Sequence, residues 1–201
     1  MRLALPFFLI GLVGLLAGAA PAVACNAYGH ADASRSAPGG APLVIGDSVL
    51  LGAVPQVARR GVEVDAKGCR TFAQGLALVR QRKAAGRLPR VVALALGTNG
   101  TVSRAEIGAA MRVLGSRRLL VLVTPREVGG VSGSDAAAMR RAARRHPGRV
   151  RVLDWVRRSS GRGSWFAGDG IHLGSPGARG MARLLDALPA MGARLRAKAR
   201  R

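Results

Sequence analysis

Residues 89–100 read PRVVALALGTNG. Six apolar residues, Val91 to Leu96, run without a polar break between Pro89 and Gly97. A strand with one wet face alternates apolar and polar side chains, whereas a strand covered on both faces has no need to. The stretch therefore predicts a buried strand that ends in a loop of small and polar residues, Gly97-Thr98-Asn99-Gly100. Two further runs have the same character, Leu43–Ile45 and Leu119–Val123, and two more β-rich stretches, Val62-Glu63-Val64 and Val150-Arg151-Val152-Leu153, carry one charged residue each. Helical patterns fill the intervals, at Val49–Arg60, Thr71–Ala85, Ser103–Leu114, Ser134–Arg145 and Ser175–Leu188. Ser103 and Glu106 have the spacing of a capping box, and Ser175 precedes a proline in a first turn. Strand and helix alternate along the chain, so the fold class expected is α/β, with a mostly parallel five-stranded sheet and helices on both faces.

Composition narrows the function. The 201 residues carry 32 Lys+Arg against 10 Asp+Glu, a formal charge of +22, and only Lys67, Lys83 and Lys198 are not Arg. A hydrophobic share of 49% excludes a disordered polycation, and the length suits one domain. Two cysteines exclude a disulfide-dense scaffold and a four-cysteine zinc site. The arginines are scattered and aromatics make up 3%, which leaves little to stack on bases, so no specific nucleic-acid partner is expected. A basic domain of this kind suits an anionic cell-wall polymer or a membrane surface. Neither a metal cluster nor a phosphate-binding glycine loop stands out, because no Lys-Ser/Thr follows Gly97-Thr98-Asn99-Gly100; no cofactor and no metal are expected.

The chain divides into four parts. Residues 1–24 combine Arg2, an uncharged run from Leu3 to Ala20 and an Ala22-Val23-Ala24 end, the pattern of a signal peptide and of export to the periplasm, the envelope or the medium. Residues 25–41 are Ala-, Ser-, Gly- and Pro-rich and read as a linker. The ordered domain spans 42–190, and 191–201 form a basic C-terminal tail. Cys25 has two readings: a lipidated N-terminus after a degenerate lipobox, or a disulfide with Cys69, which an oxidising compartment permits.

In parallel sheets ligands bind beyond the carboxyl ends of the strands. The residues there are Gly46-Asp47-Ser48, Asp65-Ala66-Lys67-Gly68-Cys69-Arg70, Gly97-Thr98-Asn99-Gly100, Thr124-Pro125-Arg126-Glu127 and Asp169-Gly170-Ile171-His172. A serine becomes a nucleophile when a base takes its proton. Of three histidines, only His172 falls at this edge, and Asp169, three residues earlier, can reach its second ring nitrogen. The backbone N–H of Ser48 and the side-chain amide of Asn99 supply donors for an oxyanion. Gly-Asp-Ser, Asn-Gly and Asp-Gly are each common turn sequences when taken singly. Their joint occurrence, in this order on one edge, is what points to chemistry.

Gly46-Asp47-Ser48-Val49, Gly97-Thr98-Asn99-Gly100 and Asp169-Gly170-Ile171-His172-Leu173 resemble the blocks of the SGNH (GDSL-type) hydrolase family. The resemblance covers about residues 42–190 and is nearest to the extracytoplasmic SGNH domains associated with membrane glycan O-acetyltransferases. It implies a three-layer αβα sandwich, flavodoxin-like in its order. It also implies a serine esterase or O-acyltransferase in which Ser48 is the nucleophile, Asp169 and His172 complete the triad and Asn99 is an oxyanion donor. The family's second block supplies another backbone donor, which here falls to Gly68 or Cys69, where relatives tend to read Gly-Arg in place of Cys69-Arg70. The substrate implied is an acylated envelope carbohydrate or a small ester, with a membrane acyltransferase as an associated partner. Arg70 and Trp165 are candidates for substrate binding, as are Arg126 and Phe166, and a Cys25–Cys69 bond would staple the linker beside the oxyanion loop. The competing reading is a non-catalytic basic envelope-binding module on a degenerate SGNH fold.

Overall fold

The computed structural model describes residues 25–34, 40–127 and 133–199; the leader expected at 1–24 lies outside them. Six strands form one sheet: β1 (Tyr28–Ala31), β2 (Leu43–Gly46), β3 (Glu63–Lys67), β4 (Val91–Ala95), β5 (Leu119–Val123) and β6 (Val150–Leu153), in the order β1-β3-β2-β4-β5-β6. The five strands β2 to β6 are parallel and alternate with helices, and the uninterrupted apolar strands β2, β4 and β5 lie inside the sheet. Strand order reverses at β2 and β4, the place where such sheets open a crevice.

The helices are α1 (Ser48–Leu51), α2 (Val54–Ala58), α3 (Phe72–Ala84), α4 (Arg104–Leu114), α5 (Ser134–Arg145), α6 (Trp155–Ser159), α7 (Ser175–Leu185) and α8 (Ala187–Ala199). Successive strand residues point to opposite faces, and two cores result. Leu43, Ile45, Val92, Leu94, Leu120 and Leu122 face α3, α4 and α5; Val44, Val64, Ala93 and Val121 face α1, α2 and α7. Full capping boxes open α3 (Thr71 with Gln74) and α4 (Ser103 with Glu106).

Three expectations change. The sheet has six strands, not five: Tyr28–Ala31, expected within a linker, pairs antiparallel with β3, from Tyr28 opposite Lys67 to Ala31 opposite Val64. Its burial alternates exposed and half-buried, so it offers no apolar run to recognise. The helix expected over Val49–Arg60 breaks after Gly52 into α1 and α2, with Pro55 in the first turn of the second. The expected tail at 191–201 continues α8 to Ala199, because Leu188, Met191 and Leu195 form a stripe packed on the core. Among the described residues no helix is long and apolar enough to cross a membrane.

Candidate active site

Ser48 leaves the carboxyl end of β2 as the first residue of α1. Gly46 makes that turn tight: a β-carbon there would lie 2.5 Å from the side chain of Leu50, so only glycine lets α1 sit down on the strand end. Asp47 caps the helix, accepting from the N–H of Val49 at 3.0 Å and from the N–H of Thr98 at 3.4 Å. Its carboxyl is 2% exposed. Burial pushes its pKa up to about 6, partly offset by the N–H groups of Val49 and Thr98.

The hydroxyl of Ser48 donates to Nε2 of His172 at 3.0 Å, and Nδ1 of His172 donates to Oδ2 of Asp169 at 2.5 Å. The other oxygen of Asp169 accepts from the N–H groups of Ile171 and His172, at 2.9 and 3.0 Å. The ring of His172 and these amides hold the Asp169 carboxyl down at about 2. An ionised Asp169 on Nδ1 selects the tautomer whose Nε2 can accept the serine proton. The relay runs from an intermediate-exposure serine to an exposed acid, open to solvent along its length.

The second expected block has an unusual backbone. Cys69 has φ 55°, the left-handed region, and among the described residues it is the sole non-glycine with positive φ. Its sulfur is bonded to that of Cys25 across 44 residues of sequence. A sulfur so engaged carries no lipid, which corrects the lipobox reading of Cys25. Gly68 is also corrected as an oxyanion donor, because its N–H is taken by the carbonyl of Ala27 at 2.8 Å. The N–H of Cys69 has no acceptor among the described residues. The amide of Asn99 reaches the same loop, donating to the carbonyl of Arg70 at 3.5 Å.

Arg70 and Trp165, expected to meet substrate, do structural work instead. The guanidinium of Arg70, 7% exposed, donates to the carbonyls of Gly46 (3.1 Å) and Asp65 (2.8 Å) and to the carboxylate of Asp65 (2.8 Å). It thus ties the Ser48 turn to the Cys69 loop. Trp165 stacks on buried Trp155 with ring centroids 5.7 Å apart, and its carbonyl accepts from the N–H of Gly174. Arg126 lies over Phe166 at 4.3 Å and donates to the carbonyl of Gly170 at 3.0 Å, bracing the Asp169–His172 loop. The Asp65–Arg70 pair and the N–H of Thr98 were missed in the sequence. The first had a signal in its five-residue spacing around the loop, and the second, being backbone, had none.

Two other features lie apart from this edge. A cavity of about 740 Å³ between α4 and α5, lined by Arg104, Met111, Arg141 and Arg145 among others, includes none of the Ser48, Asn99, Asp169 or His172 side chains. His30, Asp32 and Glu63 bring potential metal-binding atoms within 4.8 Å of one another at the amino end of β3, but Arg82 sits on Glu63 at 2.5 Å and competes with a cation there.

The parallel αβα sandwich with a Ser-His-Asp relay at the carboxyl edge is the arrangement of SGNH-type hydrolases and O-acyltransferases. Comparison with known proteins finds relatives named as O-acetyltransferases and the same fold in solved O-acetyltransferase and G-D-S-L-family structures. No family model matches the chain. O-acetyltransferase OatA of Staphylococcus aureus (strain NCTC 8325) is 29% identical over 147 residues, covering 72% of this chain and 24% of OatA. The chain thus spans about a quarter of the length of the curated relatives it matches. The OatA C-terminal catalytic domain of Streptococcus pneumoniae superposes with TM-score 0.66 at 23% identity, covering 82% of this chain and 96% of that one. A member of the lipolytic G-D-S-L family from Veillonella parvula gives 0.56 at 19% identity, over 74% and 96%.

Proposed function

We propose that this chain is an exported serine esterase or transferase that moves O-acyl groups, acetyl foremost, on cell-envelope glycans. The observation that carries this is the continuous relay from Ser48 through His172 to Asp169, at 3.0 and 2.5 Å, on the carboxyl edge of a parallel sheet. Similarity to OatA, named as an O-acetyltransferase, supports acetyl as the group, and similarity to YrhL of Bacillus subtilis, named as a putative peptidoglycan O-acetyltransferase, supports a glycan as the acceptor or donor. The Cys25–Cys69 bond supports an oxidising compartment, in keeping with a leader at 1–24.

In this mechanism the oxygen of Ser48 attacks the ester carbonyl carbon as its proton passes to Nε2 of His172, and Asp169 stabilises the imidazolium. The N–H groups of Ser48 and Cys69 and the amide of Asn99 receive the negative charge that develops on the carbonyl oxygen. Collapse breaks the bond to the leaving alcohol, which takes the proton from His172 and leaves an acyl-serine. Water or a sugar hydroxyl then attacks that intermediate by the same path in reverse. No metal enters any step.

The test is release of 4-nitrophenol from 4-nitrophenyl acetate by wild type and Ser48→Ala. Loss of at least about 10³-fold in the variant is expected. Equal turnover by both, or inertness of wild type toward every acyl ester offered, would overturn the reading. Adding a chito-oligosaccharide and weighing the products by mass spectrometry separates transfer from hydrolysis.

A further inference from the structure

We infer that the Cys25–Cys69 disulfide is a positioning device for the oxyanion loop: it holds residue 69 in a backbone conformation that its own side chain disfavours. The inference rests on the reaction proposed above for its catalytic readout, and on the backbone alone for its structural one.

Left-handed φ brings the β-carbon of an L-residue against the following carbonyl, which is why glycine is the usual occupant. Here the occupant is Cys69, at φ 55°. Glycine would adopt this conformation freely but could carry no tether. Cysteine gives up that freedom, and the tether restores the geometry. The tether is well founded, because the segment it comes from is itself fixed. Ala27 accepts from the N–H of Gly68 at 2.8 Å, and Tyr28–Ala31 pairs with Val64–Lys67 along the whole of β1. Residues 25–31 therefore grip the loop from its outer side, while Arg70 grips it from within through Asp65 and Gly46.

The consequence falls on one hydrogen. The ladder with β1 reaches Gly68, and the N–H of Cys69, next along the chain and pointing away from β1, is free of any acceptor among the described residues, beside the loop contact of Asn99 with Arg70. Cut the bond, and Cys69 relaxes toward the negative φ that a β-carbon prefers. Its N–H then turns away, and one of the three oxyanion donors is lost.

The experiment places three residues at position 69 in a chain that has no disulfide: Cys25→Ser alone, Cys25→Ser with Cys69→Ala, and Cys25→Ser with Cys69→Gly. All three lack the bond, so they share whatever stability it confers, and they differ only in tolerance of positive φ. The first two are expected to lose kcat about tenfold with KM within about twofold, in line with the loss of one donor. The glycine variant is expected to recover kcat at least fivefold over them, while its Tm stays well below that of wild type. Among the three, glycine should also have the highest Tm, which ranks them even where turnover cannot be measured. Wild-type kcat in Cys25→Ser overturns the inference, as do identical kcat and Tm in all three variants. Absence of wild-type turnover would instead end the esterase reading, leaving the Tm ranking to decide the loop.

Discussion

The two halves of the site are built differently. Ser48 stands on a turn whose supports are buried: Asp47 at 2% exposure, Arg70 at 7% and the strand ladder on both sides of β2. His172 and Asp169 have side chains 49% and 47% exposed, on a loop that belongs to no strand of the sheet. That loop is held by its own turn at Asp169, by the Phe166–Leu173 bridge, by Arg126 on Gly170 and by Trp165 beneath. Ser48 inherits its position from the core, whereas His172 receives its position from local contacts. A lost contact should therefore cost stability on one side and chemistry on the other.

Asp169→Asn is the strongest test of that division. It should lower kcat/KM by about 10³-fold, through the wrong His172 tautomer, with little change in Tm. A fall in Tm like that of a core substitution would break the comparison. Arg70→Met should do the reverse first, removing the guanidinium from a carboxylate at 4% exposure and costing about 3 kcal/mol by urea denaturation, with activity following as the Gly46 and Cys69 backbones separate. A change under about 0.5 kcal/mol would show that the buried half does not depend on this brace.

Titration sharpens the contrast, because the two carboxylates move in opposite directions. The folded-state value of Asp47 is raised from 3.8 to about 6, so the native state keeps its proton longer than the unfolded chain. Stability is favoured at low pH and falls as pH rises from about 4 through 6. Asp47→Asn should remove this fall, which amounts to about 3 kcal/mol in wild type, as read by Tm against pH. Asp169 is depressed to about 2, so whatever it contributes is present above its unfolded value near 3.8 and is lost as pH drops through 2. Being half exposed, it should leave only a slight trace in the melting curve. Among the substitutions, the smallest effect expected is from Gly180→Ala. Its β-carbon would strike the ring of Trp165, so about 1 kcal/mol of stability and a few-fold of kcat should go together. Unchanged kcat would show that the His172 loop does not lean on that ring.

The sequence was most legible where the core speaks directly. Apolar runs such as Val91–Leu96 identify buried strands because both faces are covered, and their loops follow from where the runs stop. Ser48 and Asn99 were found because they fall just past those ends, Asp169 and His172 through their three-residue spacing in an Asp-Gly-Ile-His loop, and the structure brings Ser48, His172 and Asp169 into one relay. Strand β1 was not legible, since an antiparallel edge of four residues with exposed Tyr28 carries no hydrophobic period. Arg70 was misjudged for a related reason. One arginine among so many gives no sign that its charge is buried; only its placement between Gly46 and Asp65 does. Trp165 likewise looked like a pocket wall, but its partner Trp155 lies ten residues away on α6 and fixes it as packing.

Strand β1 also decides what this domain does in company. Without it, β3 would be the rim of the sheet, with a row of backbone N–H and C=O groups open to any extended chain that passes. The short antiparallel strand closes that rim, and the covalent bond at its base keeps it from peeling away. Breaking that bond is therefore expected to favour self-association. A reduced chain would present a new docking edge to its neighbours, and a protein kept oxidised would stay monodisperse at concentrations where the reduced form forms strand-paired oligomers.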